Sequence, residues 1–167
     1  MIIMSRSTLP ISAVLVLTMS LLFTSVTLPA FVEAKKVNLG PGDKITVRLQ
    51  IDDPTSVHEL SFKTKRVQDS DPFRNSNSRI PITVQIIEND KLVGSESVTA
   101  HIGNSFEEIN IDMNNDPKVR NTFNVVVGFD IPEDNDHDLK IRVNTDSIKV
   151  IDNKKNDLDI VRIRTGN

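Results

Sequence analysis

Apolar and polar side chains alternate along much of the chain, most clearly in the segment 122–131, TFNVVVGFDI. Its bulkier apolar residues recur at every second position, from Phe123 to Ile131. Because successive side chains of a strand point to opposite faces, these residues would line one face of a sheet. The positions between them are mostly small or polar. The pattern predicts a central strand with one face in the core and the other toward water.

The same alternation predicts further strands on both sides of this segment. They cover residues 44–51, 57–64, 80–87, 92–100, 106–113, 139–144, 148–151 and 158–164. Segment 57–64 has a weaker pattern, and the Ser- and Thr-containing segment 92–100 suits a sheet edge. After residue 34 no apolar pattern of helical period persists over three turns. The sequence therefore predicts an all-β fold.

Turn-forming residues separate the predicted strands. Residues 35–43 form a lead-in that ends in Gly-Pro-Gly-Asp, residues 88–91 a hairpin turn, and residues 145–146 a short turn. Phe106 is out of phase with the residues that follow, which predicts a bulge near residues 107–108. Eight or nine strands joined in this way indicate an antiparallel β-sandwich, with either jelly-roll or immunoglobulin-like connectivity.

The first predicted strand also carries a resemblance to known domains. Residues 39–51, LGPGDKITVRLQI, resemble the first core strand of secreted β-sandwich modules such as cohesin-like and immunoglobulin-like surface domains. The resemblance implies a sandwich fold and identifies no functional residue.

The N-terminal 34 residues have the features of a secretory signal peptide. Residues 9–32 are uncharged, and Val32 and Ala34 occupy the −3 and −1 positions of a cleavage site. The alternative is an uncleaved anchor, since the apolar run is long enough to span a bilayer. Pro29 and the Val-x-Ala step favour cleavage after Ala34. Residues 35–167 are then a single domain, secreted, extracellular or at the cell surface, or periplasmic if the source has an outer membrane.

Composition narrows the function classes. The chain has no Cys, Trp or Tyr, its net charge is −3, and its Lys and Arg residues are scattered along the sequence. Nucleic acid is therefore not expected as a partner, and the aromatic platforms common in sugar-binding surfaces are missing. The three histidines have no metal-motif spacing, so no zinc site is expected. There is no G-x-S-x-G motif, and the sequence predicts a protein that is not an enzyme.

The acidic loop PEDNDHD, residues 132–138, is the most specific polar feature. Asp134, Asp136 and Asp138 alternate as in the first part of an EF-hand, which makes them candidate Ca²⁺ ligands. The position that requires Gly is Leu139 and the one that requires Glu is Thr145, so an EF-hand is rejected. The alternative interpretation is a solvated turn made of turn-favouring residues.

Strand alternation also predicts which acidic residues share an end of the sandwich. The loop 132–138 would lie with Asp69, Asp71, Asp152 and Asp157. At the other end, Asp112, Asn114 and Asp116 would lie near Asp52 and Asp53, where turn-capping roles are expected.

The leading functional hypothesis is a non-enzymatic module that acts by binding an extracellular protein or a surface polymer. Its contact surfaces would be the loops 65–79, 114–121 and 132–138, because sandwich scaffolds place function on end loops. A second version is self-association, with the lead-in or the last strand added to a neighbour's sheet. The alternatives are a Ca²⁺-dependent binding module and, third, a secreted hydrolase. Membrane contact would come only through an uncleaved N-terminal segment.

Overall fold

The computed structural model describes residues 36–67, 78–131 and 139–166. These residues form ten strands, and every strand pair is antiparallel. In order they are β1 (Lys36–Leu39), β2 (Lys44–Leu49), β3 (Thr55–Val67), β4 (Ser78–Glu88), β5 (Lys91–Ile102), β6 (Glu107–Asp112), β7 (Lys118–Val119), β8 (Phe123–Phe129), β9 (Lys140–Asp152) and β10 (Ile160–Gly166). The predicted all-β antiparallel sandwich is confirmed, with ten strands in the described residues instead of eight or nine.

The strands form two sheets with jelly-roll connectivity. Sheet A has the order β1-β9-β3-β6, with β7 paired to the start of β3, and sheet B has the order β10-β2-β8-β4-β5. The chain crosses between the sheets at every connection except the β4–β5 hairpin and the short link from β6 to β7. This interleaving of two four-stranded sets, with β10 added beside β2, is that of a double Greek key. The sequence pattern left jelly-roll and immunoglobulin-like connectivity open, and the observed strand order is that of a jelly roll.

The core lies between the inner faces of the two sheets. Strand β8 is central in sheet B, and the side chains of Phe123, Val125, Val127 and Phe129 are buried as the alternation predicts. Phe129 meets Phe62 of sheet A edge to face, with ring centroids 5.8 Å apart. This contact joins the two sheets. The edge-to-face arrangement is one that aromatic pairs favour.

The predicted turn at residues 145–146 is wrong, because the chain continues through it as one strand. In β9 the partner of Ser61 is Lys149 and the partner of Lys63 is Asn144, so four residues of β9 stand opposite one of β3. The backbone N–H of Lys63 donates to the Ser147 hydroxyl at 2.7 Å, which replaces the interrupted ladder bond. The turn-like residues therefore form a bulge of several residues within a strand of 13 residues.

Two other local predictions differ from the structure. Residues 36–39 of the predicted lead-in form β1, which pairs with β9 of the same chain. No register shift interrupts the pairing of β3 with β6, so the bulge near residues 107–108 is absent. Phe106 precedes β6, half-buried, with the Lys36 and Lys65 ammonium groups 5.6 and 5.2 Å from its ring centroid. Phe106 is out of phase with Ile109 and Ile111 because it lies on the outer face of the sheet, whereas they point into the core.

Both edges of sheet B are interrupted by bulges. Strand β5 lies at one edge, as predicted, and its extra residue is Val93; strand β10 lies at the other edge, and its extra residue is Val161. These valines, exposed by 38% and 44%, are two of the three exposed large hydrophobic residues in the described chain. Bulged edges discourage pairing with another chain, so neither edge is an open template for strand addition.

Candidate functional site

Five aspartates line an open depression at the end of the sandwich where β2 and β9 end. They are Asp52, Asp53, Asp152, Asp157 and Asp159, and the depression has a volume of about 270 Å³. We call this region the acidic end. Residues 132–138, with which Asp152 and Asp157 are predicted to share an end, lie outside the described residues. Because β9 does not turn back, its last residues lie at the end opposite to its first.

The buried carboxylate of this region, Asp152, has a structural role. It is 6% exposed, and its Oδ1 accepts hydrogen bonds of 2.9 Å from the backbone N–H groups of Lys154 and Asn156. The Thr55 hydroxyl donates to Oδ2 at 3.4 Å. The hydrogen bond from the Asn156 N–H, with those from Lys154 and Thr55, lowers the pKa of Asp152 against the effect of burial. The carboxylate holds the turn that links β9 to β10.

The segment 114–121, a predicted contact loop, is held against β3 and β5 at the same end. His58 Nδ1 lies 3.0 Å from Asp116 Oδ1, and the Asn114 amide donates to Glu96 at 2.8 Å. A side-chain carbon at Gly94 would lie 2.5 Å from Pro117, so the loop packs directly on β5. Asp112 pairs with Glu59 and Lys118 pairs with Ser56 of β3. The predicted proximity of Asp112, Asn114 and Asp116 to Asp52 and Asp53 stays a prediction.

The candidate Ca²⁺ ligands Asp134, Asp136 and Asp138 lie outside the described residues, as do Asp69 and Asp71. The Ca²⁺ site therefore stays a prediction. Within the described ranges, no group of three or more His, Asp or Glu side chains is arranged to hold a metal ion.

The outer face of sheet B carries a cluster of cations that the sequence analysis did not single out. Lys44 and Arg48 lie on β2, and Arg162 and Arg164 lie on the neighbouring strand β10, all exposed. We call these four residues the cationic half of the face. No Asp or Glu of the five strands points to this side, although the whole chain has a net charge of −3. Positive charge is thus concentrated on one surface.

Two of these arginines are direct cross-strand partners. Arg48 stands opposite Arg162, and Arg164 is opposite the adjacent Thr46. Like charges directly opposite one another destabilise a sheet. Within the described part of the chain, none of the four cationic side chains has an ion pair or a hydrogen bond that would offset this repulsion. Their guanidinium and ammonium donors are available to a ligand.

The remaining strands of the same face have one charged residue among their outward positions, Arg79 at the start of β4, opposite His101 of β5. Their outward residues include Asn124, Val126, Thr83, Gln85 and Ser97, which offer hydrogen-bonding groups around a small apolar floor. A depression of about 270 Å³ lies over Gly128, with Lys44 and Thr83 among its lining residues. We call the uncharged outward residues of β8, β4 and β5 the neutral half. The depression exists because position 128 has no side chain.

The outer face of sheet A differs in its charge pattern. In register, Lys63 stands opposite Glu108, whereas Glu59 and Asp112 are two acidic residues opposite one another, so this face carries both signs of charge. Lys149 forms an ion pair of 3.4 Å with Asp157. This face therefore lacks the separation of charge seen on sheet B, and it provides a matched control surface.

Comparisons with known proteins add a single similarity of fold. The chain is similar to TmCBM61, solved in complex with beta-1,4-galactotriose, with a TM-score of 0.41 and 9% sequence identity over 70% of each chain. No family model and no curated protein matches the sequence. No helix in the described residues is long and apolar enough to cross a membrane.

Proposed function

We propose that this protein is a secreted or cell-surface, non-enzymatic binding module whose outer face of sheet B contacts an extracellular polymer. The observation that carries the proposal is the set of unpaired polar groups on this face, arranged around the depression over Gly128. Each would gain hydrogen bonds or ion pairs with a ligand without losing one within the fold. The face is built on strands of one sheet, so these groups are held in fixed register.

A polymer fits this face better than a folded protein partner. Protein interfaces have a core of aromatic or large apolar anchors that fill pockets. Of the exposed large hydrophobic residues in the described chain, Val93 and Val161 are bulge residues at the two edges, and Leu92 lies beside Val93. Between these edges the face is mostly polar, with Val126 and Ile87 as partly buried apolar residues, which suits a hydroxyl-rich or charged polymer.

The self-association version has less support. The lead-in pairs with β9 and the last strand pairs with β2 within the same chain, so each has only its outer edge left for a neighbour's sheet, and the edge of β10 is interrupted by a bulge. Secretion is supported by the position of β1: cleavage after Ala34 would leave Lys35 alone ahead of this strand. The Ca²⁺-dependent alternative rests on residues 132–138 and stays a prediction.

Filling the depression tests the proposal. Gly128→Phe should abolish binding to polymers, because the ring would occupy the space over the sheet. A Cβ atom at Gly128 would lie 3.9 Å from Lys44 Cγ and from the Thr83 carbonyl oxygen, so the fold should tolerate it. The measurement is retardation in gels containing polygalacturonate, its methyl ester, xylan, galactan or dextran.

Asn110→Phe is the matched control, since it places the same ring on the exposed outer face of sheet A. It should leave retardation unchanged. Equal retardation of both variants and the wild type, with a polymer that the wild type binds, would contradict the assignment of the face. Absence of retardation by every polymer would contradict the proposed function itself.

A further inference from the structure

We infer that the polymer bound by sheet B is an acidic polysaccharide, whose carboxylate or sulfate groups contact the cationic half while its hydroxyl groups contact the neutral half. This inference rests on the proposed function and specifies its ligand class. The observation behind it is the juxtaposition of two chemistries on one continuous sheet face.

The cationic half is suited to anions fixed on a chain. Arg48 and Arg162 are neighbours across strands, and Arg164 lies two residues further along β10. Strand geometry sets these positions about 4.8 Å apart between strands and about 6.8 Å apart along one strand. Arginine suits this role because its planar guanidinium binds carboxylate and sulfate oxygens through two hydrogen bonds.

The repulsion between Arg48 and Arg162 supports a ligand role. A sheet that keeps like charges opposite one another loses stability, and a bound anion would remove that cost. Residues that break a local rule without compensation within the fold are expected at functional sites. The rim adds selectivity, because Asp43 and Asp130 border the depression and would repel acidic groups there. The acidic groups are therefore directed toward β2 and β10, and the neutral ring portions toward Gly128.

Two other polyanions fit the face less well. Single-stranded nucleic acid is bound by stacking bases on aromatic side chains, and the strands of sheet B direct their phenylalanines inward. An anionic lipid surface attracts cations but makes no use of ordered amide and hydroxyl groups such as Asn124, Gln85 and Thr83. Those neutral groups match sugar hydroxyls, which both donate and accept hydrogen bonds.

The test compares polygalacturonate with its methyl ester, which has the same backbone and no charge. In titration calorimetry the protein should bind polygalacturonate at least about tenfold more tightly, and this preference should shrink as NaCl is raised because salt screens exposed charges. The triple variant Arg48→Gln, Arg162→Gln, Arg164→Gln should lose about tenfold or more in affinity. Its thermal stability should be equal or higher, since a repulsive pair is removed.

The control variant is Lys63→Gln, Lys118→Gln, Lys140→Gln, which removes the same charge from exposed positions away from this face. Its affinity for polygalacturonate should stay within about twofold of that of the wild type, as expected for distant surface charges under screening.

Equal binding of the ester, equal losses in both triple variants, or no binding of polygalacturonate would overturn the inference. If the protein bound duplex DNA or phosphatidylglycerol vesicles more tightly than polygalacturonate, and the arginine variant lost that binding, the inference would be overturned in favour of that ligand. If Gly128→Phe abolishes binding of a neutral polymer while the arginine variant does not, the face remains assigned and only the acidic ligand is rejected.

Discussion

Replacing Phe129 by alanine is expected to lower the free energy of unfolding by about 3–5 kcal/mol, the usual cost of removing a large aromatic side chain from a core. Phe129 is 3% exposed and Phe62 is 2% exposed, and their rings meet edge to face between the two sheets. The cavity would lie at the contact that joins sheet B to sheet A. Urea denaturation followed by circular dichroism measures the loss.

A double-mutant cycle separates the ring contact from the effect of burial. Phe62→Ala and Phe129→Ala together should show a coupling of about 0.5–1.5 kcal/mol, the range measured for aromatic pairs. Leu92→Ala is the control, because Leu92 is 59% exposed on β5 and should change stability by less than about 0.5 kcal/mol. Losses of similar size for Phe129→Ala and Leu92→Ala would contradict the packing described.

The second large effect is expected at Asp152. Asp152→Ala should cost about 1–3 kcal/mol, because the backbone N–H groups of Lys154 and Asn156 lose their acceptor. Asp152→Asn keeps an acceptor oxygen and should cost less. Asp53→Ala, at an exposed position lining the same depression, should change the free energy of unfolding by less than about 0.5 kcal/mol.

The pH dependence of stability identifies the carboxylate form of Asp152 as the stabilising one. Because its pKa is lowered in the folded state, chiefly by the Asn156 N–H, its contribution is present above the unfolded pKa of about 3.9. The contribution is lost as the pH falls through the folded pKa. The stability difference between wild type and Asp152→Asn should therefore decrease below about pH 4. A difference that stays constant down to the acid transition would contradict this role.

Alternation along the sequence was sufficient to predict most strands and the buried residues of β8. Period-two patterns report directly which side chains face the core, and they need no knowledge of neighbours. They failed at residues 145–146, where residues common in turns form a bulge within β9. Whether such residues turn the chain or bulge depends on a tertiary contact, here the hydrogen bond from Lys63 to Ser147. That error also affected the expected position of Asp152, which lies at the end of β9 opposite to Lys140.

The candidate site depends on strand adjacency, which local patterns do not contain. Arg48 and Arg162 are separated by more than 100 residues in sequence, and they become neighbours only because β10 pairs with β2. Each arginine alone appears as an ordinary polar position of an amphipathic strand. The scattered distribution of Lys and Arg along the chain therefore gave no indication of a charged face. The cationic half of the face could be identified only once the order of strands in the sheet was known.

The central claim is that the outer face of sheet B is the contact surface, and a footprint by NMR tests it most directly. On addition of polygalacturonate, backbone amide shifts should change along β2, β8 and β10, with the largest changes near Arg48, Gly128 and Arg162. The amides of β3 and β6 in sheet A should remain unchanged. Changes confined to sheet A or to the segments 68–77 and 132–138 would contradict the account.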